Sequence, residues 1–241
     1  MTKHIALALG AALLMHTTAA QAAPGLGSEV YGATVEPGKI EIENRYDALA
    51  GGADDGEDVI KLEAAYGVSR RLRLGLQGEF EREPGRPRKA EELGIEAIYA
   101  LGKVGGVDVA LYGEYAIGFG GPDKIETKLL LQHRPGPFDL RLNLIAEKEL
   151  TSGAKVELGY AAQADVGVAG DEVRIGVQAF GELGTFDRLA PRAEHFAGPF
   201  ARAEIEGLGP EIGLQAGYLF ALGRARDDTK GMFRVMLEFE F

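Results

Sequence analysis

Charged side chains recur at every second position through much of this 241-residue sequence. Successive side chains of a β-strand point to opposite faces, so this spacing collects the charges on one face of each strand. Acidic residues outnumber basic ones on that face, and such a wall would favour cationic or neutral polar solutes in a water-filled passage. The residues predicted to line the passage are Glu63, Arg73, Glu79, Glu96, Glu114, Arg141, Glu157, Arg174, Glu182, Arg202, Glu204, Arg234 and Glu238.

The same charges have a second interpretation, which stays open. Side chains of opposite sign could pair across a narrow interior and fill it, and this would leave no channel. Glu-x-Glu pairs follow from strand periodicity, so they are no sign of acid–base catalysis. The sequence therefore predicts either a narrow, acidic-walled pore or uptake channel for small solutes, or a closed structural or surface-interaction barrel with a salt-bridged lumen and no transport.

The face opposite the charges is apolar. In the last stretch, 231–241, Phe233 and Leu237 share one face while Arg234 and Glu238 share the other. Segments of about ten residues that alternate in this way, separated by turn residues, are typical of transmembrane barrel strands. The predicted strands are 38–48, 56–68, 71–82, 91–102, 107–118, 124–133, 138–149, 154–167, 172–184, 197–206, 211–223 and 231–241. An even number of about 12, joined by alternately short and long connections, predicts an all-β fold: a closed antiparallel transmembrane β-barrel with an up-and-down meander.

Aromatic residues on the apolar face are sorted toward the two ends of the strands. Transmembrane barrels carry such girdles at the lipid headgroups, whereas a soluble sandwich has no reason to sort aromatics this way. The predicted girdle residues are Tyr46, Tyr66, Phe80, Tyr99, Tyr115, Phe138, Phe200, Tyr218, Phe220, Phe239 and Phe241. The pattern favours the outer membrane of a Gram-negative cell, with membrane lipid and lipopolysaccharide around the barrel.

Residues 1–37 lack the strand pattern. A charged start, an apolar run and a small-residue end at Ala22 predict a secretory signal peptide at 1–22. We expect 23–37 to be a periplasmic N-terminal lead-in and 38–241 to be the barrel. The net charge of -11 argues against nucleic acid as a partner, and the absence of Cys excludes disulfides and Cys-based metal sites. No cofactor and no metal ion is expected.

Serine and histidine are too sparse to suggest a lipid hydrolase of the outer-membrane phospholipase kind. Those enzymes place a Ser nucleophile beside a His base on the lipid-facing wall. The serines of this chain are Ser28, Ser69 and Ser152. His133 at a strand end has no Ser nearby, and His195 is predicted to lie in a long, solvated loop. We therefore expect no enzymatic activity.

Three stretches resemble one group of Gram-negative outer-membrane proteins: YGVSRRLRLGL at 66–76, VQAFGELG at 177–184 and GYLFAL at 217–222. The group is the transporter family of the MetA pathway of phenol degradation, and the resemblance would cover most of the mature chain. It implies an outer-membrane barrel that passes small aromatic or hydrophobic molecules, although an acidic lumen argues against a greasy conduit. The terminal Phe241 is similar to the aromatic end by which the barrel assembly machinery reads the C-terminal strand of such proteins.

Overall fold

The computed structural model describes residues 23–189, 193–205, 207 and 209–241, so the predicted signal peptide at 1–22 lies outside the described residues. The strands are β1 (Ile40–Gly52), β2 (Asp58–Gly67), β3 (Leu72–Arg82), β4 (Lys89–Val104), β5 (Val107–Gly118), β6 (Lys124–His133), β7 (Phe138–Glu149), β8 (Glu157–Ala169), β9 (Val173–Thr185), β10 (Arg188–Leu189), β11 (Glu194–Ile205), β12 (Glu211–Gly223) and β13 (Thr229–Glu240). A short 3-10 helix, Arg224–Asp227, separates the last two. No helix in the described ranges is long and apolar enough to cross a membrane.

The strands form a closed antiparallel barrel. Strand β13 pairs with β12 and also with β1, through registers such as Ile42 opposite Phe239, and this second pairing closes the ring. Within the described part of the chain twelve strands make the barrel, because the two-residue β10 only pairs with the end of β9. The predicted fold class is confirmed.

The two rims of the barrel differ in their connections. At the rim where β1 begins and β13 ends, which we call the terminal rim, Gly105 and Gly106 alone join β4 to β5. Their φ angles of 59° and 88° suit a two-residue hairpin turn, which requires positive φ and therefore favours glycine. The opposite rim, which we call the loop rim, carries the connections 53–57, 83–88, 150–156 and 224–228.

The barrel is apolar outside and charged inside. Leu76 and Ile95 on the outer surface are 55% and 60% exposed, whereas Glu63 and Glu96 on the inner surface are buried. This distribution is the reverse of that in a soluble domain, where charged side chains are rarely buried. It is the distribution expected of strands that face lipid on one side and a lumen on the other.

Residues 23–37, which we call the N-terminal segment, run through the inside of the barrel. The Gly38 N–H donates to the Gly67 carbonyl at 2.7 Å and ties the end of the segment to the terminal rim. Near its other end, Leu26 belongs to a buried apolar cluster that includes Ala225, from the loop-rim connection between β12 and β13. This position differs from that expected of a periplasmic lead-in, because groups on the barrel wall bind the segment within the lumen.

Candidate functional site in the barrel lumen

Two amide side chains of the wall bind the backbone of the N-terminal segment. Asn143 on β7 accepts from the Tyr31 N–H at 2.8 Å through Oδ1 and donates to the Tyr31 carbonyl at 3.0 Å through Nδ2. Gln132 on β6 accepts from the Ala33 N–H at 3.0 Å. An amide carries both a donor and an acceptor, so it can serve an isolated backbone as a neighbouring strand would. The segment is held without joining the sheet.

Charged side chains of the wall bind the part of the segment nearer to the loop rim. Asp47 accepts from the Gly27 N–H at 2.8 Å, and Arg45 donates to the Gly27 carbonyl at 3.1 Å. Hydrogen bonds with one charged partner are stronger than those between neutral groups. Two further arginines donate to carbonyls of the segment: Arg234 to Ser28, and Arg141 to Val30 at 3.2 Å.

The Tyr31 side chain is 3% exposed and fills a cage of four wall residues, Glu63, Glu96, Tyr112 and Lys128. Its hydroxyl lies 3.2 Å from the nearer oxygen of Glu96 and 3.4 Å from that of Glu63. The Tyr112 ring centroid is 4.9 Å away, and the Lys128 Nζ lies 4.7 Å from the Tyr31 centroid. We call these four residues the Tyr31 cage. It binds both the polar tip and the ring of a phenol.

Two arginines neutralise the acids around the cage. Arg73 on β3 lies 2.5 Å from Glu96 and 2.6 Å from Glu41, and it also contacts Glu63. Arg45 on β1 contacts Glu63 from the other side. Buried carboxylates are tolerated when they are paired and hydrogen-bonded, so the cage depends on these arginines.

The other predicted lumen residues face the interior outside the cage, and Glu114 contacts the cage residue Tyr112. Arg202 pairs with Glu238 at 2.8 Å and with Glu204 at 2.9 Å. Glu157 and Glu182 lie toward the loop rim, where β8 and β9 meet. The remaining contacts are Arg234 with Asp47 (3.0 Å), Glu79 with Lys61 (3.0 Å), Glu114 with the Tyr112 hydroxyl (2.5 Å) and Arg174 with Asp165 (2.5 Å).

The sequence prediction missed the residues that bind the segment most closely. Asn143, Gln132 and Tyr112 occupy inward positions on otherwise charged faces. An uncharged amide or a tyrosine at such a position was the available signal. No such signal marks Tyr31 in the sequence, because this residue lies in a stretch without periodicity.

Two predicted positions are corrected by the structure. Phe200, predicted for the membrane girdle, is 5% exposed and faces the lumen, because it has the same parity on β11 as Arg202. His195, predicted for a loop, lies on the outward face of β11 with its Nδ1 3.2 Å from the Tyr160 hydroxyl. The other predicted girdle residues lie on the outward face of their strands, except Phe241, which directly follows β13. Their place at the headgroups stays a prediction.

Two groups of three carboxylates lie close enough to share one ion, with ligand oxygens within 4.8 Å of one another. They are Glu29, Glu43 and Glu63 in one group, and Glu41, Glu238 and Glu240 in the other. Both groups already contact cationic side chains: Arg45 in the first group, and Lys39, Arg73 and Arg202 in the second. These contacts explain the clustering, and we assign no metal to either group.

The free space in the lumen is unequal at its two ends. A vestibule of about 440 Å³ opens at the terminal rim and reaches Tyr31, with Glu36, Arg134 and Glu240 in its wall. Beyond Tyr31, the space beside Val30 and Arg234 is only about 20 Å³, room for about one water molecule. The N-terminal segment therefore occupies the lumen between the cage and the loop rim.

No family model matches the sequence, and no curated protein matches it. Among solved structures, the KdgM porin is similar with a TM-score of 0.56 at 11% identity, over 83% of this chain and 99% of that chain. The same porin in complex with disordered oligogalacturonate gives a TM-score of 0.56 at 10% identity, over 83% and 99% of the two chains. The NanC porin gives 0.57 at 7% identity, over 84% and 98%.

At such low identity these similarities show the fold alone, which is that of an outer-membrane porin. The closed barrel and its apolar outer surface place the chain in the outer membrane. The resemblance to the MetA-pathway transporter family is matched by no family model and stays a prediction.

Proposed function

We propose that the chain is a narrow outer-membrane channel for small polar solutes, with a lumen that its own N-terminal segment closes. The observation that carries the proposal is the width of the passage, since the barrel holds a peptide segment between its inward side chains. A barrel of about eight strands has room only for side chains. After the predicted cleavage at residue 22, the segment would be joined covalently to the barrel only at residue 38, and its other contacts with the wall are non-covalent.

The polar contacts of the segment support a closure that can be reversed. Asn143, Gln132, Asp47 and the wall arginines can exchange their bonds to the segment for bonds to water. The net cost of such an exchange is small for each bond, about 1 kcal/mol. Withdrawal of the segment would therefore leave a wetted passage with satisfied polar walls.

The charge of the wall supports a preference among solutes. Acids outnumber bases along the lumen, and acidic rings favour cations and neutral polar molecules. The sequence resemblance to the MetA-pathway transporters suggests that small aromatic molecules are also among the solutes. Such a molecule would need a polar group to interact favourably with this charged wall. The terminal rim would face the periplasm, the outer surface would contact lipid and lipopolysaccharide, and β13 would be the strand read by the assembly machinery.

A second candidate is a closed structural or surface-interaction barrel without transport. The filled region beyond Tyr31, with only about 20 Å³ free, favours it. In that case the segment and the ion pairs would form a permanent core.

Planar-bilayer conductance of the refolded protein separates the two candidates. We expect rare openings from the intact mature chain and frequent, cation-preferring current steps after deletion of residues 23–37. Glu36→Ala is the matched control, because the Glu36 side chain is 74% exposed and lies outside the filled region; it should behave like the intact chain. A deletion variant that folds, as judged by heat-dependent migration on a gel, yet gives no current would favour the closed barrel.

A further inference from the structure

The wall of the lumen offers partners to a peptide backbone at successive positions. It accepts from the N–H groups of Gly27, Tyr31 and Ala33. It also donates to the carbonyls of Gly27, Ser28, Val30 and Tyr31. These partners lie on four strands, β1, β6, β7 and β13. Their bonds go to the backbone of the segment, so these bonds do not depend on the side chains of the peptide.

The wall also binds the side chain of Tyr31. The cage binds the hydroxyl of Tyr31 with Glu63 and Glu96, and it binds the ring with Tyr112 and Lys128. A site built to bind a buried hydroxyl discriminates strongly against a ligand that lacks it, because its polar groups are then left unpaired. The cage therefore selects tyrosine over phenylalanine.

The lumen is also narrow beside the cage. A Cβ atom added to Gly32 would lie 3.1 Å from the Gln132 Oε1, and one added to Gly27 would lie 2.9 Å from a methyl of Val59. Contacts this short require the wall to move. The wall thus favours glycine directly after the tyrosine, because a larger side chain at that position would require Gln132 to shift.

We propose that the lumen is a binding site for peptides in which tyrosine is followed by glycine, and that the N-terminal segment is its internal ligand. The assignment deepens the proposed channel function and rests on it, because a free peptide reaches these groups only when the segment withdraws. A tether of this kind presents its ligand at an effective concentration of about millimolar. A free peptide of moderate affinity would therefore bind after the segment is removed and would compete poorly against the intact chain.

The test uses the barrel without residues 23–37, refolded in detergent, and a fluorescently labelled synthetic peptide of residues 23–37. Fluorescence anisotropy should give saturable binding to the deletion variant and little binding to the intact chain. A peptide with Tyr31→Phe should bind about tenfold more weakly or worse, as expected for a lost hydrogen bond to a charged group. A peptide with Gly32→Val should also bind more weakly, and a scrambled peptide should not bind.

The outcomes for peptide binding and for conduction are distinguishable. A deletion variant that conducts but does not bind the peptide, or binds the Tyr31→Phe peptide equally well, overturns the binding site and leaves the channel intact. A deletion variant that binds the peptide but never conducts overturns the proposed channel function.

If the deletion variant fails to fold, it is replaced by the full chain with a protease site placed at 36–38. Cleavage should then allow the labelled peptide to exchange for the segment, and the absence of exchange would overturn the proposal.

Discussion

The lumen is closed in two regions that use different physical chemistry. In the middle, the Tyr31 cage and its arginines hold the segment through hydrogen bonds and ion pairs. Toward the loop rim, Leu26 packs into a cluster that we call the apolar cap, formed with Phe180, Phe196, Leu219 and Met232. The first region depends on direction and pairing, whereas the second depends on the area removed from water.

This difference separates the stability of the barrel from the closing of its passage. The cap contributes mainly to stability, because apolar packing does not require one particular arrangement of partners. The middle region decides whether the segment is held in register, because each of its bonds has a defined donor and acceptor. Substitutions in the two regions should therefore change different measurements.

The largest effect is expected for Arg73→Ala. The substitution leaves Glu41, Glu63 and Glu96 without their shared cation, and breaking a buried pair costs about 3–5 kcal/mol. Denaturant unfolding in lipid vesicles measures the loss. Arg86→Ala is the control, because Arg86 is 74% exposed in its side chain; a similar loss for both variants would contradict the role given to Arg73.

Phe180→Ala should destabilise the barrel by about 3 kcal/mol, since removal of a fully buried ring leaves a cavity. Phe180 is 1% exposed and also faces the Arg234 guanidinium at 4.3 Å. We expect the passage to stay closed in bilayer recordings, because the cage still holds Tyr31. The control is Phe220→Ala, which removes a phenylalanine ring from the lipid-facing side. Its loss in free energy of unfolding should be smaller than that of Phe180→Ala. Frequent openings of Phe180→Ala would mean that the cap, and not the cage, closes the passage.

Asn143→Ala should change gating more than stability. Loss of both bonds to the Tyr31 backbone would destabilise the closed state relative to the open state by about 2 kcal/mol. The ratio of open to closed protein should therefore rise about 30-fold. Open probability in a planar bilayer measures this change. Asn44→Ala is the matched control, because Asn44 lies on the outward face of β1; equal opening in both variants would remove Asn143 from the closing mechanism.

The smallest effect is expected for Glu57→Gln in the connection between β1 and β2. Burial, together with the negative charges of Asp54, Glu81 and Glu83, raises the pKa of Glu57 to about 7. The favourable contribution of the neutral carboxyl is thus present below the unfolded pKa of about 4.5 and is lost as pH rises through about 7. The variant should be more stable than the parent by about 1 kcal/mol at pH 8, and equally stable at pH 4. Unfolding midpoints at both pH values measure the difference, and an equal difference at both would contradict the raised pKa.

Local periodicity was enough to predict the strands and the direction of most side chains. The predicted segments 107–118, 124–133 and 138–149 coincide with β5, β6 and β7, because alternation with a period of two is a property of neighbouring residues. One error came from a misplaced boundary. The tenth predicted strand began at 197, and the observed strand begins at Glu194, which brings His195 into the sheet.

The sequence by itself determined a closed barrel with an apolar outside and a charged inside, since those features repeat within every strand. Only the tertiary structure decided what fills the lumen. Tyr31 binds Asn143, which lies 112 residues away, and no local pattern marks either residue as the partner of the other. The N-terminal segment has no periodicity because side chains from several strands surround it. Its position follows from bonds that exist only after the barrel has closed around it.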